Sequence, residues 1–91
     1  MQYSEKDKKY IWLKSTKAIK GKSHDLFALD YHDNEIHYFC YGNRTSSFGW
    51  EIDHIIPEVL GGRTIFDNLR AIHWRTNARG GGIVGSLLNR I

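Results

Sequence analysis

The stretch from Trp50 to Asn77 constrains this chain more than any other. It reads Trp50-Glu51-Ile52-Asp53-His54-Ile55-Ile56-Pro57, then a Gly61-Gly62 loop, then Asp67-Asn68-Leu69, then His73-Trp74-Arg75-Thr76-Asn77. Trp50 to Ile56 is rich in β-formers with alternating apolar residues, which predicts a strand. Pro57 cannot donate to a ladder and ends it. Gly61-Gly62 and Asp67-Asn68 mark the ends of a loop of about ten residues built from turn-forming types. Arg70-Ala71-Ile72 is expected as the returning strand. A helix is expected from Arg75, broken at Gly80-Gly81-Gly82, where each glycine would cost about 1 kcal/mol.

An acid-histidine pair, Asp53-His54, closes the first of these strands, and Asn68 and Asn77 follow it. An isolated pair of this kind is ordinarily structural, but the ordered set around a glycine loop suits metal-assisted cleavage of a phosphodiester. A hard divalent cation takes oxygen ligands, which Asp53 and the Asn77 carboxamide can supply. A neutral imidazole beside it can take the proton from an attacking water.

The pattern Asp-His-Ile-x-Pro, Gly-Gly, Asp-Asn-Leu and Asn resembles the HNH endonucleases. It is most similar to small bacterial members, through Tyr41-Gly42-Asn43, Gly49 to Ile55 and Ile72 to Asn77. The resemblance implies an α+β fold with a ββα-metal, treble-clef-like core, to which this chain adds a hairpin and flanking helices. It implies that Asp53 and Asn77 hold one divalent cation, most often magnesium, with manganese as a substitute. It assigns His54 as general base and Asn68 as the residue that braces the loop and orients that histidine. The implied partner is DNA. Alternation puts Glu51 on the side of Asp53, where it would tune the metal.

Many HNH proteins carry two Cys-x-x-Cys pairs around a structural zinc. Here those positions read Cys40 and Asn43, then His73 and Thr76, so only Cys40 and His73 are credible ligands where four are needed. No structural zinc is expected, and Cys40 and Trp74 are expected to fill that space. Relatives tend to place a lysine after the last motif position, whereas this chain has Ala78-Arg79-Gly80.

Ninety-one residues suggest a single domain with modest core burial. It divides into a basic helical segment over 1–22, a hairpin over 26–41, the motif over 50–79 and an amphipathic helix over 83–91. Ser4 and Asp7 form a weak capping box for the first helix, which is read as ending before Gly21. Trp12 and Ile19 are assigned to the core. In the hairpin, Phe27, Leu29 and Tyr31 fall on one face and Ile36, Tyr38 and Cys40 on another, with Asp33-Asn34 as the turn. A single cysteine excludes an intramolecular disulfide, and no apolar run is long enough to span a bilayer. The polar amino terminus carries no signal-peptide pattern, so the cytosol is the expected compartment.

The net charge of +3 is unevenly spread. Residues 5–22 carry a net +5, residues 23–60 a net −6 and residues 61–91 a net +4. Basic ends around an acidic middle suit a polyanion held over a cation-binding centre. Lys14, Lys17 and Lys20, with Arg75 and Arg79, are the expected nucleic-acid contacts. The plain alternative is that the lysines form a solvated face. At the level of function, the rival readings are an HNH-fold nucleic-acid-binding module without turnover and a structural or partner-binding domain.

Overall fold

Ser4 starts the first helix. In the computed structural model, which describes residues 3–80, its hydroxyl accepts a hydrogen bond from the Asp7 amide at 3.1 Å. Helix α1 (Glu5–Ser15) places Glu5 and Asp7 in its first turn and Lys14 in its last, as the helix dipole favours. It buries Ile11 and Trp12 completely, and the Trp12 indole donates to the His24 carbonyl at 2.6 Å. The helix stops at Ser15 rather than running on toward Gly21. Thr16 turns extended, and its hydroxyl donates to the Trp12 carbonyl, a backbone acceptor at the open helix end.

The next residues form strand β1 (Lys17–Ala18), which pairs antiparallel with β2 (Phe27–Leu29). Strand β2 pairs in turn with β3 (Glu35–His37), matching Ala28 to Ile36. The expected hairpin is therefore present but shorter, and it is the inner part of a three-stranded sheet. Its buried face is Ala28 and Ile36, not the larger Phe27 and Leu29. Trp12 and Trp50 meet in the same cluster, with ring centroids 5.1 Å apart, and take the volume that a bigger residue at 28 would need. Tyr31 is exposed, because β2 ends at Leu29 and Tyr31 already belongs to the turn that goes on through Asp33 at φ 65°. Tyr38 to Cys40 form a 3₁₀ turn instead of continuing β3. Ile19 is only half-buried.

Strands β4 (Trp50–His54) and β5 (Leu69–His73) make a second antiparallel sheet, in which Trp50 faces His73 and Asp53 faces Arg70. Trp50 and Ala71 complete the core with Trp12, Ala28 and Ile36, and Tyr38 and Ile52 pack against it. Helix α2 (Trp74–Ala78) follows β5 without a connector. The His73 side chain caps it by accepting from the Arg75 amide at 3.1 Å, and Gly80, at φ 79°, ends it. The expected strand, loop, strand and helix are thus all present. The expected helix over 83–91 lies outside the described residues.

One edge of β5 pairs with β4, and the other is covered by three side chains. Lys14 donates to the Leu69 carbonyl at 2.8 Å. Ser15 accepts from the Ala71 amide at 2.9 Å, and Asp30 accepts from the His73 amide at 2.9 Å. Alternate backbone groups that would otherwise be an open template are satisfied in this way. Asp30 is fully buried and accepts also from the His32 and Asn34 amides, so one carboxylate ties the β2–β3 turn to the start of α2.

Candidate active site

His54 ends β4, just before the chain leaves the sheet into the glycine loop. Gly61, at φ 88°, and Gly62 fold that loop back on itself. A Cβ at Gly62 would stand 1.7 Å from the Ile56 carbonyl oxygen, so only glycine allows the close return. The return brings Thr64 to the histidine, with its hydroxyl 2.9 Å from Nε2. His54 Nδ1 has no hydrogen-bond partner among the described residues and is not buried.

Asn68 is buried and holds both limbs of the loop. It accepts from the Ile56 amide at 2.8 Å, and donates to the carbonyls of Ile56 at 3.0 Å and Arg63 at 2.8 Å. Its own carbonyl accepts from the Ile55 amide. These bonds lock the residues that follow His54 and the residue that precedes Thr64. Asn68 reaches the imidazole through backbone and Thr64 rather than by touching the ring.

An open cleft of about 570 Å³ is lined by Glu51, Ile52, His54, Thr64 and Asn77, with Tyr3, Tyr41, Gly42 and Glu58 completing its wall. Asn77 extends from α2 and donates to Glu51 at 2.8 Å. Arg44 grips the same carboxylate with both arms of its fork, at 2.6 and 2.7 Å. The Arg44 bonds first, and the Asn77 bond after them, hold the Glu51 carboxyl below the usual carboxylate range, against the opposing effect of partial burial.

Asp53 is placed differently. Its carboxylate lies 3.3 Å from the Arg70 guanidinium, its cross-strand partner, and it does not line the cleft. The structure therefore brings together His54, Asn77, Glu51 and Thr64, with Asn68 behind them and Asp53 to one side. Alternation along β4 groups Glu51 with Asp53, but their partners separate them. Thr64 has no signal in the sequence, because its role depends on how far the glycine loop folds back.

The expected nucleic-acid contacts are scattered. Lys14 is spent on the β5 edge, and burial pushes its pKa down. Lys17 pairs with Asp33, and Lys20 is exposed. Arg75 and Arg79 line a second hollow, with Asn34, Phe48 and His73, and not the His54 cleft.

At the positions weighed above as zinc ligands, His73 Nε2 donates to the Ser47 carbonyl at 2.7 Å while Nδ1 accepts the α2 cap bond. Both ring nitrogens are committed to the fold. Trp74 donates to the Ser46 carbonyl at 2.7 Å, and Cys40 accepts from the Ser46 hydroxyl at 3.6 Å. The loop of residues 46–47 is thereby fastened from three sides. Gly49 must be glycine, since a Cβ would stand 1.9 Å from the Asn43 carbonyl oxygen.

Among the described residues no three His, Cys, Asp or Glu side chains converge as a metal cluster, and no helix is long and apolar enough to cross a membrane. Comparison with known proteins gives no match to a curated protein or to a solved structure. Residues 41–80, from the turn before Arg44 through the end of α2, match the family model of the HNH endonucleases. Through those residues the chain is similar to the HNH endonuclease family.

Proposed function

We propose that the chain is a metal-dependent endonuclease that hydrolyses DNA phosphodiester bonds, with His54 as general base. The observation that carries this reading is the pose of the imidazole. One nitrogen is held by Thr64, and the other is unpartnered among the described residues, on an open cleft that also holds a carboxylate and a carboxamide. With Nε2 protonated and donating to the Thr64 hydroxyl, Nδ1 is the lone-pair nitrogen that accepts a proton from water.

A magnesium-like ion keeps several waters and uses one or two carboxylates plus phosphate oxygens. The donor set on the cleft fits that need without a three-residue cluster. The family resemblance gives the ion to Asp53 and Asn77. Asn77 is on the cleft, and Asp53 would join it by leaving Arg70. A bound cation would supply Lewis-acid stabilisation of charge on the phosphate. Asn68 and Thr64 keep the imidazole aligned, and Arg79 would add positive charge for the DNA strand.

A second reading, a nucleic-acid-binding module without turnover, draws support from one feature: both candidate acids, Glu51 and Asp53, are paired with arginines. Incubation with supercoiled plasmid separates the two. Nicked or linear product with magnesium, abolished by chelator, is expected of the nuclease, and retention on DNA with no product is expected of the module.

A further inference from the structure

We propose that the hollow on the reverse face of α2 from the His54 cleft is a subsite for one unpaired nucleotide of a DNA strand, with its base stacked on Phe48 and its phosphates held by Arg75 and Arg79. The inference rests on the nucleic-acid reading above and adds to it the state of the strand that is recognised.

The hollow has a volume of about 360 Å³, within the range of small-ligand sites. Phe48, Glu35, Arg75 and Arg79 are among its walls. Residues 75 and 79 are four apart and share a face of α2, while Asn77 lines the cleft on the other side. Phe48 is the outer ring of a stack. His37 covers one of its faces, with centroids 3.9 Å apart and planes 7° from parallel. The His37 ring is itself fixed, by Glu35 at 2.7 Å and by an edge contact with Phe27. His37 does not line the hollow, so the part of Phe48 that does is the part His37 leaves uncovered. A planar base laid there extends the stack by one layer on a ring already held in place. The floor is set as well. Asn34 donates to the Thr76 hydroxyl at 3.3 Å, and His73 to the Ser47 carbonyl at 2.7 Å.

The charge suits a phosphate. Glu35 is answered by Lys22 at 3.2 Å and by His37. Arg75 and Arg79 are exposed and form no ion pair among the described residues, and the Arg75 guanidinium rests over the Trp74 ring at 5.1 Å. A base within a duplex already has its faces stacked, so an unpaired one is needed to reach Phe48. A helix is about 10–12 Å across, so a strand passing over α2 joins hollow and cleft within a few nucleotides.

The test is fluorescence anisotropy of the full chain at low salt, with chelator present so that nothing is cut. The probes are a short single strand of DNA, an all-abasic strand of the same length, and a blunt duplex. Wild type is expected to hold the normal strand about fivefold or more tighter than the abasic one, the worth of a stacked base. Phe48→Leu keeps an apolar side chain and should lose about that factor on the normal strand, with duplex and abasic binding within about twofold of wild type. Phe48→Tyr keeps a ring and should bind as wild type does. Replacing Arg75 and Arg79 with alanine should weaken binding of all three probes. Equal wild-type binding of the normal and abasic strands overturns the proposal, and that comparison needs no variant. Phe48→Leu that holds the normal strand as tightly as wild type overturns it too, as does a loss that extends equally to the duplex. In each of these cases the nucleic-acid reading stands. A wild type that holds none of the three probes overturns both.

Discussion

At the scale of single residues, the candidate base is set by a hydroxyl. Thr64→Val removes the hydroxyl that holds Nε2 while keeping the β-branched shape, so cleavage should fall about 10- to 100-fold with stability almost unchanged. Thr64→Ser should recover most of the rate, because it restores the hydroxyl. Plasmid nicking rates beside thermal unfolding of each variant check this, and equal rates in Thr64→Val would remove Thr64 from the site. Asp30 makes the sharpest stability prediction. Its four partners are all donors: the amides of His32, Asn34 and His73, and the Asn34 side chain. Asp30→Asn would turn a donor toward donors and leave buried amides unpaired. A decrease of about 3 kcal/mol or more is expected from urea unfolding, close to that of Asp30→Ala. That His54 and Asn77 share one cleft and Asn68 braces the loop behind it is legible in the chain, because the glycine loop and the short strand after it return the chain to β4. The parts played by Thr64 and Asp30 are not. Each acquires its role from a partner that only the folded loop or the second sheet brings near.

At the scale of elements, β5 is the member on which the others depend. It pairs with β4, feeds α2 without a connector and has its outer edge sealed by Lys14, Ser15 and Asp30. Ser15→Ala would orphan the buried Ala71 amide and is expected to cost about 1–3 kcal/mol, read from the shift in urea midpoint. No change would mean that water replaces the hydroxyl at that edge. The strand ends of β4 and β5 are readable to within a residue or two, because Pro57 and the Asp67-Asn68 turn are strong local signals. Strand β1 is not. Two residues, Lys17 and Ala18, carry no hydrophobic period, and their pairing follows from the helix stopping at Thr16. The inward face of β2 is equally hidden. Alternation points as well to Phe27 and Leu29 as to Ala28, and the two tryptophans decide for the alanine.

At the scale of the whole molecule, the charge blocks fold onto one another. Lys9 meets Asp25, Lys17 meets Asp33 and Lys22 meets Glu35, so much of the basic amino-terminal block is answered by the acidic middle. Arg63, Arg75 and Arg79 remain exposed on the later block. Replacing Arg75 and Arg79 with alanine should therefore weaken DNA binding more than replacing Lys17 and Lys20. The salt slope of binding should flatten by about one for every phosphate that is no longer neutralised. Fluorescence anisotropy across a salt series distinguishes the pairs, and a larger effect of the lysines would restore the amino-terminal segment as the binding face. The most telling measurement is the magnesium-dependent nicking rate of supercoiled plasmid by wild type and by His54→Ala, prepared side by side. With His54 as the base, the wild type should nick and stop with chelator, and His54→Ala should be slower by about 10²- to 10⁴-fold while still binding DNA. Nicking by His54→Ala at the wild-type rate, or nicking by wild type that chelator leaves untouched, would contradict it.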